Sequence, residues 1–269
     1  SHLSRGKKFL WYTVILCIVL FMSSASMIKD KFLGAPFIRS DLRLPEQGIL
    51  LKRPKLIRMM GEKLSAGEDS IKSLALVGVG GSGKTILARY YAKEYGYSVT
   101  WEINAETKET MIASFEDLAY ALSATEEERE FLKGLRAGNT LEERESRILD
   151  FVKKHLKKYP SWMLIYDNVE HYSDIRSCFP RDATVWGKGQ VIVTTQDETI
   201  SSIQPVLRIQ ELTKEEKIDL FKKITKYSNS SFSPLSKLES FLESIPSYPL
   251  DVWVAASYIT ATGISYEKY

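Results

Sequence analysis

Eight consecutive residues, Gly78-Val79-Gly80-Gly81-Ser82-Gly83-Lys84-Thr85, have the types and spacing to hold a phosphate. They fit the pattern G-x-x-x-x-G-K-[ST]. Gly80, Gly81 and Gly83 carry no Cβ, so the backbone can wrap closely around an anion. The loop amides converge as a nest, and the N-terminus of a following helix adds partial positive charge. In that chemistry Lys84 reaches the β- and γ-phosphates and Thr85 places its hydroxyl on Mg²⁺. A second stretch, Trp162 to Asn168, is an apolar run that delivers Asp167 at its end. Such strand ends form the ligand edge of open α/β sheets, and an acid there stands near Mg²⁺. Asn168 occupies the position where a second acid often sits. Glu170, the nearest other carboxylate, reads equally as a base or as an acid at a helix N-terminus. A third stretch, Gly189 to Asp197, is a buried run ending in Thr194, Thr195 and Gln196, which are candidate γ-phosphate sensors.

These residues need a parallel sheet to hold them. Ile71, Leu74 to Val77 and Val79 form the apolar run of a buried strand. Ile86, Leu87, Ala88, Tyr91 and Ala92 recur at helical spacing after it. Ser98 to Asn104 alternates as a strand, and Thr107 to Leu122 predicts an amphipathic helix. Ala124 to Leu156 is charged and helical, broken near Gly134 and Gly138, and reads as solvated helix faces. Val206, Leu207 and Ile209 give one more short strand. Beyond Thr213 only helices are expected: Thr213 to Lys226, opened by a capping box with Glu216, then Leu235 to Ile245, then Leu250 to Ile259 with Pro249 at its start. Before the loop, Lys29 to Gly48, with Pro36 and Pro45, reads as linker. Pro54 to Leu64 reads as a short helix, and Ala66 to Asp69 as a loop.

Composition narrows the setting. The 269 residues carry a net charge of +3, and hydrophobic and charged residues make up 44% and 26%, values ordinary for a globular protein. The basic residues are scattered among acidic ones, so nothing points to nucleic acid. Cys17 and Cys178 make neither a disulfide framework nor a zinc site, which favours a reducing compartment. His2, His155 and His171 lack metal-ligand spacing and read as surface or cap residues. Phe9 to Ile28 is uncharged and just long enough to span a bilayer. Three readings stay open for it: a retained membrane anchor, a signal peptide cleaved near Ser23-Ser24-Ala25-Ser26, or a buried helix. A nucleotide domain needs cytosolic nucleotide. The expected location is therefore cytoplasmic, at the cytoplasmic face of a membrane if residues 9–28 are an anchor.

Taken in order, the motifs resemble an NB-ARC domain, of the STAND class of signalling NTPases, over Leu50 to Tyr269. The texture is most like bacterial-type NB-ARC proteins with tetratricopeptide repeats. Leu51-Lys52-Arg53 resembles the family's opening motif, and Gly78 to Thr85 its Walker A loop. Trp101 to Glu106 resembles the W-x-N-A-E text, Met163 to Asn168 the Walker B strand, and Val191 to Asp197 the sensor strand I-V-T-T-R-D. Leu212 to Phe221 resembles L-x-x-x-E-A-x-x-L-F, and Ser247-Tyr248-Pro249-Leu250 resembles G-x-P-L.

The resemblance implies an α/β P-loop NTPase fold. Five mainly parallel strands in the order 5-1-4-3-2, with helices on both faces, precede a small helical domain. The expected partition is residues 1–28 hydrophobic segment, 29–49 linker, 50–212 nucleotide-binding domain and 213–269 helical domain. It implies ATP or ADP with Mg²⁺ as cofactors. Nucleotide contacts fall on Arg53, Gly80, Gly81, Ser82, Gly83, Lys84, Thr85, Ile86, Thr195, Gln196 and Pro249, with Arg53 and Pro249 beside the adenine. Thr85 and Asp167 would hold the metal, and Lys84, Asp167 and Asn168 would act in hydrolysis. The implied function is an ATP/ADP switch controlling oligomerisation or signalling, self-associating when ATP-bound, with a repeat sensor beyond Tyr269. Alternative readings are an AAA+-like ATPase motor and a nucleotide-stabilised scaffold without turnover. Two departures, Gln196 for the sensor arginine and Asn168 for the second acid, imply slow hydrolysis and put strong nucleotide discrimination in doubt. Ser247 replaces a glycine of the family text.

Overall fold

A computed structural model describes residues 37–65, 71–135, 140–225 and 235–264. The chain divides after Phe37 into two units, and every element named here belongs to the second. In chain order they are β1 (Ile38–Arg39), α1 (Pro54–Ser65), β2 (Lys72–Val77), α2 (Lys84–Tyr95), β3 (Val99–Asn104) and α3 (Lys108–Leu122). Next come α4 (Glu126–Gly134), α5 (Leu141–Leu156), β4 (Trp162–Val169), α6 (Tyr172–Ile175), α7 (Ala183–Trp186) and β5 (Gly189–Thr195). A 3₁₀ turn (Glu198–Ser202) leads to β6 (Val206–Arg208), then α8 (Lys214–Ile224), α9 (Leu235–Glu243) and α10 (Pro249–Thr262).

The six strands form one parallel sheet in the order β1-β3-β4-β5-β2-β6. The five expected strands take the expected order. The sixth, β1, lies within the stretch read as linker. Ile38 N donates to Ser98 O, Ser40 N to Thr100 O, and Glu102 N to Ser40 Oγ. Two residues are too few for a period to show in sequence.

Side chains alternate across the central strands into two cores. Ala75, Val77, Leu164, Tyr166, Val191 and Val193 face α3 and α5. Leu74, Leu76, Met163, Ile165 and Ile192 face α1 and α2. Burial on both faces is why these strands read as continuous apolar runs. A third core joins α8, α9 and α10 through Phe221, Leu238, Leu242, Val252 and Ile259. Ile49 and Leu51 pack against it, so residues ahead of the phosphate loop brace the helical part.

Two expectations are corrected. The charged stretch before Leu156 is not all solvated. In α5, Ile148, Leu149, Phe151, Val152, His155 and Leu156 form one buried face, with the charges on the other. His155 is therefore not a surface residue: its ring stacks on Phe151 and Nε2 meets Glu128 Oε1 at 2.9 Å. His171 does sit at a cap, its amide donating to Asp174. The uncharged segment 9–28 lies outside the described residues. Among those described, no helix is long and apolar enough to cross a membrane.

The tightest approach in the sheet is at Gly189, paired with Trp162 across β4 and β5. A Cβ there would lie 2.1 Å from Trp162 Cδ2. The indole cannot yield, because it is fully buried and its Nε1 donates to Trp186 O at 2.9 Å. Gly189→Ala should cost about 3 kcal/mol, the upper range of overpacking. Gly48→Ala, in open space, should change little. Urea denaturation followed by circular dichroism checks both.

Candidate functional site

The glycine loop leaves the C-terminal end of β2 and enters α2. Gly83 forms the N-cap at φ 91°, and Gly81 has φ 76°. Both sit in the left-handed region, where a side chain costs about 1–2 kcal/mol. The first amides of α2 have no acceptor within the helix. Lys84 is almost buried, and its ammonium bends back to donate to Gly78 O and Val79 O, each at 2.9 Å. Burial pushes its pKa below the ordinary lysine value, and nearby Asp167 opposes that shift. Ser82 Oγ, inside the same loop, is buried without a hydrogen-bond partner.

Two strand ends and the start of α2 meet at Asp167. Thr85 Oγ1 donates to Asp167 Oδ1 at 2.7 Å, and Thr194 Oγ1 donates to the same oxygen at 2.6 Å. Thr194 Oγ1 also accepts from Asn168 N at 3.0 Å. The β4–β5 register shifts between Tyr166 and Val169, and Asn168 takes φ 60° at this irregularity. Asparagine is among the side chains that tolerate that region. The shift turns Asn168 outward, exposed at the strand end. Thr195 Oγ1 accepts from Asp197 N at 2.9 Å. Gln196 is exposed, and its Nε2 is the nearest atom, 3.9 Å from where a Cβ of Gly80 would be.

The helical part closes over the loop. Leu250 N, at the start of α10, donates to Gly81 O at 3.3 Å. A Cβ on Gly81 would lie 2.8 Å from Leu250 Cβ, and one on Gly83 would lie 3.5 Å from Pro249 Cγ. At Gly81 only glycine lets α10 approach this closely, whereas the Gly83 distance is ordinary contact. Arg53 ties the other side. Its Nε donates to Glu216 Oε1 at 3.1 Å and its Nη2 to Glu216 Oε2 at 3.2 Å. The same guanidinium donates to Gln210 O and Glu211 O, in the link between β6 and α8. Glu216 also accepts from Thr213 N as part of the capping box of α8.

These groups surround a cleft of about 770 Å³. Arg53, Gly80 through Ile86, Asn168, Thr195, Gln196 and Pro249 all line it, and Asp167 stands behind Thr85. Sequence reasoning missed several lining residues. Tyr90 lies one turn beyond Ile86, and Trp253 one turn beyond Pro249, so helical spacing from the named residues would have reached both. Glu106 ends the W-E-I-N-A-E text. Ile209 and Leu220 read only as strand and helix residues, and Pro45 and Ile49 carry no local signal. Nor does Glu216 as the partner of Arg53, 163 residues away.

Gly81→Ala should lower stability by about 1–2 kcal/mol, from its φ alone, and should push α10 off the loop. Gly80→Ala has room and should be near neutral. Chemical denaturation of the two variants side by side checks the contrast.

Comparison with known proteins follows the same lines. No curated protein sequence matches the chain. Among solved structures, a Cdc6p from Pyrobaculum aerophilum superposes with a TM-score of 0.56 at 16% identity, over 83% of this chain and 65% of that one. The ORC2 protein of Aeropyrum pernix, in ADPNP and ADP complexes, gives 0.50 at 15%, over 85% and 69%. A STAND protein with a tetratricopeptide repeat sensor, from Pyrococcus horikoshii, gives 0.45 at 15%, over 84% and 32%. At these identities the likeness is one of fold. The chain spans about two thirds of the first of these proteins and about a third of the STAND protein. The NB-ARC domain family matches residues 53–231, which takes in the glycine loop, Asp167, the sensor strand and the Arg53–Glu216 pair. The chain belongs to the NB-ARC family of P-loop nucleotide-binding domains.

Proposed function

We propose that this domain is an ATP/ADP-binding switch that controls oligomerisation or signalling, with slow hydrolysis. One observation carries the reading: the start of α10 rests on the phosphate loop through Leu250 N and Gly81 O. A nucleotide in the cleft would touch both the sheet part and the helical part. Its affinity then differs between closed and open arrangements, as a ligand-driven switch requires.

The residues fit the ligand. The orphaned Ser82 hydroxyl, the left-handed glycines and the partly desolvated Lys84 suit an anionic phosphate chain. The apolar walls at Ile49, Ile209, Leu220 and Pro249 suit a nucleobase. Mg²⁺ fits the oxygen donors of Thr85 and Asp167. Among the described residues no three His, Cys, Asp or Glu gather as a metal cage. A magnesium ion held by one carboxylate, one hydroxyl and substrate phosphates needs none. When bound, the ion would neutralise phosphate charge. Thr194 fixes the Asp167 carboxylate for that role.

Hydrolysis has little help here. Asn168, at the position of a second acid, carries an amide that cannot take a proton from water. Gln196 offers a dipole where a cation would stabilise developing charge. Glu106 and Glu170 also line the cleft and bring negative charge to it.

Calorimetric titration should show ADP-Mg binding to the full chain, and absence of binding would reject the reading. At a hundredfold excess over Kd the nucleotide should raise stability by about 2.7 kcal/mol. Lys84→Ala should keep the fold and lose that gain. Arginine should not restore it, because a planar fork replaces a point charge. Steady-state turnover should fall well below about 10 per second. A rate near that value would favour a motor, and binding without any turnover a scaffold.

A further inference from the structure

Lys217 lies on α8 and is buried, with 5% of its surface exposed. Buried lysines are rare, and the ammonium must find acceptors. It donates to Ile245 O and to Ser247 Oγ, the latter at 3.3 Å. Both acceptors lie in the turn between α9 and α10. The same turn is tied to the segment that leads from β6 into α8: Leu212 N donates to Ser247 O at 2.7 Å, and Tyr248 OH to Glu211 Oε1 at 3.1 Å. Two and three residues beyond Ser247, Pro249 and Leu250 meet Gly83 and Gly81 of the phosphate loop. The position of α10 over the loop is therefore set by a turn whose inner anchor is one charged side chain.

We propose that Lys217 is a positioning residue: it fixes the Ile245–Ser247 turn and so holds Pro249 and Leu250 against the phosphate loop in the nucleotide-competent arrangement. The inference rests on the nucleotide site proposed above. Lys217 touches neither the cleft nor the loop, and acts only through the turn. Burial lowers its pKa, with the carboxylates of Glu211, Asp251 and Glu243 opposing. Removing the ammonium leaves two acceptors without a donor and lowers overall stability as well. Local exchange at Leu250, set against exchange at Ile259 in the same helix, separates positioning from bulk stability.

The test uses the full chain and the variants Lys217→Met, Ser247→Ala and Lys214→Met. Lys214 lies on the same helix, half exposed, and pairs with Glu239 and Glu243. Lys217→Met should lower the nucleotide-free melt, because the Ile245 carbonyl and the Ser247 hydroxyl lose their donor. It should raise the ADP-Mg dissociation constant about tenfold, within the usual range of coupling between sites. Hydrogen exchange at the Leu250 amide should speed up, while exchange at Ile259 in the same helix stays as in the wild type. Ser247→Ala removes one acceptor and should shift both readouts the same way, by less. Lys214→Met should shift neither.

Wild-type affinity and wild-type Leu250 exchange in Lys217→Met would overturn the proposal. If Lys217→Met does not fold, Ser247→Ala decides, and wild-type values there overturn it. If the wild type itself binds no ADP-Mg, the nucleotide reading fails separately, and Leu250 exchange still judges Lys217.

Discussion

A single carboxylate oxygen organises the functional edge of this protein. Asp167 Oδ1 accepts from Thr85, at the start of α2, and from Thr194, near the end of β5. Three segments far apart in sequence are thereby held at one point. The two donors satisfy a charge that is 7% exposed and would otherwise be costly to bury. Thr194 serves twice, since its hydroxyl also accepts the Asn168 amide where the strand register slips. The sheet supplies the frame for this arrangement. Its two-sided burial fixes β2, β4 and β5 in register, so their polar ends arrive together at one edge.

The helical part is attached to that edge by polar links rather than by apolar area alone. Arg53 reaches Glu216 and two carbonyls of the connecting segment, from a residue whose own φ is 43°. Lys223 Nζ meets Leu50 O at 3.3 Å on the same side. Ile49 and Leu51 add an apolar contact with the third core. The stretch ahead of α1 therefore belongs mechanically to both parts.

Local chemistry was legible in the sequence, and non-local chemistry was not. The glycine loop, Asp167 and the sensor strand announce themselves because glycine, lysine and apolar runs act on neighbouring residues. Strand order followed from the family text, since a period of two says nothing about which strand lies beside which. The partners of Arg53 were hidden, because an ion pair across 163 residues leaves no trace in spacing. The burial of α5 was misread for a different reason. Its charges outnumber its apolar residues, yet Ile148, Leu149, Val152 and Leu156 all fall on one side of the cylinder. His155 followed them inward, held by Glu128 and Phe151 O. Likewise β1 is defined by what Ser98 and Thr100 leave open rather than by Ile38 and Arg39 themselves.

The four tryptophans among the described residues fall into two environments. Trp162 and Trp186 are buried within the core around α3 and α5, one ring donating to the carbonyl of the other residue. Trp101 is partly buried against the same core, with its Nε1 on Ser114 O. Rings enclosed in this way should emit toward the blue and report the integrity of the sheet. Trp253 is different: it is 51% exposed on the first turns of α10 and lines the cleft. Its emission is red-shifted by water and open to aqueous quenchers such as iodide. Occupancy of the cleft, or withdrawal of α10 from the loop, alters that component and leaves the enclosed one untouched. Cleft and scaffold can thus be followed at separate wavelengths in a chain whose Trp11, outside the described residues, is replaced.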